Sequence, residues 1–166
     1  DVRIETYVRA KTMEAIEATH KKVDTALKAG GDAVGAQTVI ATMPGQLPLA
    51  CNNRLNELFV TNAKIAEPNV AVKDAGHFSA STDMGDVSHL LPVIHPFIGG
   101  VDGFLHTADF HVVDFKHAVL LPAKAFAMMI VDLLADDAEL ARQIKAEHHP
   151  LLTKEEYIAK LDKYFQ

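Results

Sequence analysis

The chain has 166 residues, room for one ordinary domain or two smaller parts. A hydrophobic share of 49% with 23% charged residues is globular and excludes disorder for the bulk of it. Sixteen basic residues against 22 acidic ones leave a net charge of −6, which excludes a protein held to nucleic acid by phosphate contacts. The single cysteine, Cys51, excludes an internal disulfide framework and a Cys-rich zinc module, and fits a reducing, cytoplasmic setting.

Residues 2–9 alternate, with Val2, Ile4, Thr6 and Val8 against Arg3, Glu5, Tyr7 and Arg9, and this period of two predicts a strand with one wet face. Thr12 caps a predicted helix to about residue 28, with Met13, Ile16, His20, Val23 and Leu27 on one stripe and Gly30-Gly31 as its stop. A second strand is expected over 37–43, before Pro44-Gly45 breaks the chain. Asn52 or Asn53 caps the next helix, which buries Leu55, Leu58, Phe59 and Ile65 and ends near residue 65. Short strands are expected at 70–72 and 92–98. Residues 74–90, rich in Gly, Ser, Thr, Asp and His, read as a loop with a short helix. A long helix over 115–134 carries Pro122 near its first turns or at a kink, and two more helices follow over 137–148 and 154–165. The last begins with a capping box, Thr153 with Glu156. This order is α/β, or α+β overall, with a junction near residues 44–51. The longest apolar stretch, 118–134, is broken by Pro122, Lys124 and Asp132, so no membrane span is expected. No signal peptide stands at the start, and without an initial Met the chain is expected to be a processed protein or a piece of a longer one.

Five of the nine histidines, His89, His95, His106, His111 and His117, crowd residues 89–117 beside Asp83, Asp86, Asp102 and Asp109. Imidazole and carboxylate are the common zinc ligands, yet no two of these histidines stand in an H-E-x-x-H helix, and taken singly most of them read as surface or satisfied core histidines. The loop from Ser79 to Asp86 is dense in small polar groups of the sort that hold a carboxylate or amide, or that simply turn and cap. Gly99-Gly100-Val101-Asp102-Gly103 lacks the spacing and lysine of a phosphate loop. Arg9, at the end of a predicted strand, is either an ordinary surface arginine or placed to present its fork to a carboxylate. Cys51 reads as a small buried hydrophobe, His20 as a core or interface histidine, and the charges of 137–147 as a solvated helix face.

The run Gly76-His77-Phe78-Ser79-Ala80-Ser81-Thr82-Asp83-Met84-Gly85-Asp86-Val87-Ser88-His89, continuing to Pro92-Val93-Ile94-His95-Pro96-Phe97, resembles the M-20 metallopeptidases, zinc amidohydrolases that include aminobenzoyl-glutamate hydrolases. Gly103-Phe104-Leu105-His106-Thr107-Ala108-Asp109-Phe110 resembles the segment with that family's last metal ligand. Met43-Pro44-Gly45-Gln46-Leu47-Pro48-Leu49 and the helix with Pro122 and Asp132 extend the likeness over nearly the whole chain.

The resemblance implies the C-terminal part of an α/β/α zinc-peptidase-like catalytic domain at 51–166. It implies the second, strand–helix–strand half of a ferredoxin-like lid, through which the family forms homodimers, at 1–50. It implies His106 as a metal ligand, Asp83, Ser81 and Thr82 as catalytic residues of the loop lining the substrate pocket, and Arg9, His95 and His89 as substrate-binding residues. Gln46 lies near where some of these carboxypeptidases carry a substrate-carboxylate arginine. The implied reaction is hydrolysis of an amide bond in a dipeptide, an N-acyl amino acid or an aminobenzoyl amino acid, assisted by two divalent metals, zinc or manganese. The family's H-x-D segment, bridging aspartate and Glu-Glu pair have no counterpart here, so the chain alone is expected to be inactive and to hold no metal. The competing readings are a dimerisation or interaction module pairing by an exposed strand edge, and a small-ligand binder using the Ser/Thr/Asp loop.

Overall fold

A computed structural model describes residues 2–74, 76 and 80–165, with side chains as far as residue 163. Its described residues form five α-helices and one two-stranded antiparallel sheet, an α/β arrangement overall. They group into two compact units. One comprises Asp1–Ala50, Ala75–Leu90 and Pro150–Gln166; the other comprises Cys51–Asp74 and Leu91–His149.

In the first unit α1 spans Met13–Ala33. Thr12 caps it, its hydroxyl accepting from the Ala15 amide. The predicted stripe is the less exposed face, although every member of it is only half-buried. The helix does not stop at Gly30-Gly31. It runs two residues further, to Ala33, and Gly35 takes the left-handed conformation, with φ +71°. Gly31 serves instead as the place where the chain folds back: the Ala36 amide donates to its carbonyl at 2.9 Å, and Thr38 occupies the space of the missing side chain. α3 spans Met84–Ser88 and α5 spans Lys154–Phe165. The capping box of α5 forms as the sequence predicts: the Thr153 amide donates to Glu156 (2.7 Å) and the Glu156 amide to the Thr153 hydroxyl (3.1 Å).

The second unit is built on α2 (Asn53–Ala66), capped by the Asn52 side chain, and α4 (Leu121–Glu147). Leu55, Phe59 and Ala63 of α2 pack with Leu121, Ala125, Met129 and Ile144 of α4, and Phe59 meets Phe126 at 4.9 Å between ring centroids. Ile65, expected inside, is 63% exposed. The inward stripe runs through 55, 59, 62 and 63, and at 100° per residue position 65 turns away from it. Its place is taken by Asn62, buried and donating to Leu58 O (3.1 Å) and to Asp132 Oδ2 (2.7 Å). Before α4 the chain makes a π-helical turn, Lys116–Leu120. Pro122 has no N–H for the carbonyl four residues back and its ring would crowd it, and a widened turn relieves both. The break expected between residues 134 and 137 is present, as Asp136, Asp137 and Ala138 all have positive φ.

Residues 2–9, 37–43, 70–72 and 92–98 are not strands. Alternation sorts side chains onto faces, but a strand exists only where a neighbour takes up its N–H and C=O groups. Among the described residues the single ladder joins β1 (Val101–Asp102) to β2 (His111–Val112). Val2, Ile4, Val39 and Met43 are accordingly exposed. Cys51 is half-buried rather than buried. By length and composition, the helical run Lys116–Glu147 is long and apolar enough to cross a membrane, which the broken apolar stretch did not suggest.

Candidate functional site

The motif helix α3 is clamped onto the segment 46–50. Gly85 has no side chain, so the Leu47 carbonyl lies where a Cβ would stand. Ser88, 1% exposed, donates to Gly85 O (2.6 Å) and accepts from the Ala50 amide (3.0 Å). His89 is buried, and its Nε2 lies 2.9 Å from Pro48 O. A carbonyl only accepts, so the proton is on Nε2. The His89 carbonyl accepts from the Leu152 amide (3.0 Å), and Asp86 accepts from the Tyr157 hydroxyl (3.3 Å). Burial, followed by the adjacent Asp86 carboxylate, pushes the Tyr157 hydroxyl above the ordinary tyrosine range. Buried groups are paired in this way because an unpaired one costs the full price of losing water.

Asp83 heads α3 with helical backbone (φ −57°, ψ −26°) and makes no capping bond. Thr82 does that work, its carbonyl accepting from the Gly85 amide (2.8 Å) and its hydroxyl from the Met84 amide (3.4 Å). The Asp83 carboxylate accepts instead from the Gln46 side-chain amide. Asp83 and Ser81 are exposed, Thr82 is half-buried, and His89 is buried within the clamp. Ser79, with His77 and Phe78 of the same motif, lies outside the described residues. Arg9 belongs to the same unit but lies outside any helix or strand, its guanidinium 5.4 Å from the centre of the Tyr7 ring. Tyr7 in turn donates to Glu5 at 2.6 Å.

His106 and His95 belong to the other unit. His106 stands in the loop between β1 and β2 with φ +65°, an uncommon conformation for a non-glycine residue. Thr107, its single hydroxyl hydrogen shared between Phe104 O (2.6 Å) and the Asp109 carboxylate, ties that loop. His111 Nδ1 donates to Asp109 O at 2.6 Å. His95 is half-buried, edge-on to Phe97 (5.6 Å), and its Nδ1 is buried without a partner among the described residues. His117 Nδ1 lies 2.6 Å from Asp114, whose carboxyl is held below the usual range chiefly by that hydrogen bond. Nowhere do the described residues gather three His, Cys, Asp or Glu side chains as a metal site would. A catalytic zinc needs about three protein ligands. His106 alone does not meet that requirement, and the described residues do not fit a complete metal centre.

Sequence reasoning gave Gln46 only a position and missed what it touches. It also missed Thr82 as the cap and the Asn62–Asp132 pair. Thr82 had a signal, a hydroxyl residue two positions before the helix; the other two pairs span 37 and 70 residues and carry none.

Over 142 residues the chain is 30% identical to the Xaa-Arg dipeptidase of Mus musculus, a match covering 81% of this chain and 33% of that protein. The chain thus spans about a third of the relative's length. No family model matches the chain. No solved structure matches it either. The relation these comparisons support is to a peptidase.

Proposed function

We propose that the chain is part of a metal-dependent amidohydrolase or peptidase of the M-20 kind, cleaving an amide bond of a dipeptide, an N-acyl amino acid or an aminobenzoyl amino acid. The observation that carries this is the 142-residue likeness to a dipeptidase. In this reading residues 1–50 are half of a dimerising lid and 51–166 the C-terminal part of a cytoplasmic enzyme's catalytic domain. Asp83 and Thr82, at the head of a helix fixed by buried contacts, form a rigid wall for the substrate together with Ser81, and rigid placement of such groups is what lowers the entropic part of a barrier. Arg9 and His95 supply further substrate contacts, and His89 holds the wall rather than meeting the substrate. His106 contributes one ligand to a zinc or manganese centre whose other ligands lie outside these 166 residues.

The test has two arms. The purified chain, after exhaustive dialysis, is expected to carry about zero metal per chain by elemental analysis and to leave an Xaa-Arg dipeptide intact; one bound metal, or hydrolysis, overturns its incompleteness. Supplied with zinc or manganese and with the remaining two thirds of the dipeptidase relative, it is expected to hydrolyse that dipeptide, and a failure there overturns the hydrolase reading. The exposed Val2, Ile4, Val39 and Met43 favour a second reading, a self-association module. It predicts metal-independent oligomers in light scattering.

A further inference from the structure

We infer that Gln46 is a positioning residue for Asp83: its side-chain amide holds the carboxylate off its own helix and in a fixed direction, so that one oxygen stays available to an N–H group of a ligand. An aspartate at the head of a helix ordinarily turns onto the first backbone amides, which offer both hydrogen bonds and the positive end of the helix dipole. Asp83 does not, although it sits at that position. Two features of the structure explain why. Thr82 already serves the Met84 and Gly85 amides through its hydroxyl and its carbonyl. The Gln46 amide, meanwhile, binds Asp83 Oδ1.

Gln46 makes a dependable donor because its backbone cannot drift. Leu47, next to it, is buried with its carbonyl in the space over Gly85, and Pro48 and Ala50 are bonded to His89 and Ser88. A neutral donor also differs from a lysine or arginine in this place: it orients the carboxylate without cancelling its charge. Asp83 Oδ2 therefore remains a charged acceptor of set direction. That this oxygen faces substrate rests on the hydrolase reading; the pairing itself does not.

Heteronuclear NMR on the 166-residue chain tests the pairing. The Gln46 side-chain NH2 resonances should shift along the ionisation curve of the Asp83 carboxyl carbon, and Asp83→Asn should flatten that response. In Gln46→Leu the ionised carboxylate, a stronger acceptor than the neutral Thr82 oxygens, should displace Thr82 from the Met84 and Gly85 backbone amides, so these should begin to follow Asp83 ionisation, which they do not follow in the wild type. Gln46→Asn, one methylene shorter, should behave as Gln46→Leu does. Loss of mere packing would not transfer the pH response from one set of protons to the other. If the Gln46 resonances ignore Asp83, or the α3 amides already follow it in the wild type, the inference falls whatever the enzyme does. If the assembled enzyme fails to hydrolyse its dipeptide while the resonances transfer as described, the hydrolase reading falls and the positioning role stands.

Discussion

The Asn62–Asp132 pair allows the packing of α2 on α4 to be tested quantitatively. Asn62 is 2% exposed, and its two amide hydrogens go to Leu58 O and Asp132 Oδ2. Asp132→Ala leaves one of them buried and unanswered. A hydrogen bond to a charged group contributes about 1.5–3 kcal/mol. Asp132 itself faces outward, so water reaches part of the gap and the lower end, about 1.5 kcal/mol, applies. Replacing aspartate by alanine inside a helix returns about 0.5 kcal/mol of propensity. The net expectation is a loss of about 1 kcal/mol. Adding Asn62→Leu should recover most of it, because removing both polar partners is nearly neutral where removing one is not. Urea denaturation followed by far-ultraviolet circular dichroism, at unchanged m-value, reads the double-mutant cycle, with a coupling of about 1–2 kcal/mol expected. If Asp132→Ala is stabilising by the propensity gain alone, and Asn62→Leu costs the same in both backgrounds, the pair contributes nothing and the reasoning fails.

Phe59→Ala removes a buried ring from the same interface and is expected to cost about 3–5 kcal/mol in the same assay. Thr153→Ala should cost about 1 kcal/mol and shorten α5, visible as lost amide protection in its first turn. The Thr153 amide and hydroxyl together hold the Glu156 carboxyl below the ordinary glutamate range. A carboxyl lowered in the folded state stabilises above its unfolded value, about 4.3, and the gain disappears as pH falls through the folded value. The start of α5 should therefore fray progressively below about pH 4.3. Glu156→Gln, which keeps an acceptor but does not titrate, should remove that dependence in amide chemical shifts.

What the sequence made legible was local. Thr12, Asn52 and the Thr153–Glu156 box each announce a helix start through residues three or four apart, and each forms. The break after Leu134 was legible because Ala135-Asp136-Asp137 interrupts an apolar run. What depends on distant partners was not. Alternation in residues 2–9 has the same appearance whether or not a neighbouring strand exists, and no neighbour pairs with it among the described residues. Gly30-Gly31 looks like a stop, but a helix carries two glycines at a cost of about 1 kcal/mol each when the next turn is favourable, and Gly35 then supplies the reversal. For the candidate site, the run from Ser81 to His89 was legible as a polar segment with a short helix. Which of its side chains turn outward was decided by residues 46–50, more than thirty positions away.

Gly85 is where that decision is most exposed to experiment. Within a helix, glycine to alanine is stabilising by about 1 kcal/mol, and α3, only five residues long, has every local reason to welcome it. The Cβ of an alanine at this position would fall on the Leu47 carbonyl oxygen, a backbone atom. Leu47 cannot step aside cheaply, because the bonds of Ala50 to Ser88 and of Pro48 to His89 pin the segment on its far side. Accommodating the methyl means breaking those bonds or shifting α3, an overpacking cost of about 1–3 kcal/mol before any lost hydrogen bond is counted. Gly85→Ala should therefore be destabilising, opposite in sign to the propensity expectation, and the Ala50 amide should lose protection against hydrogen exchange. Stabilisation by about 1 kcal/mol with the Ala50 amide still protected would mean that the 46–50 segment does not lie on α3. The clamp, and with it the fixed placement of Gln46 against Asp83, would have to be abandoned.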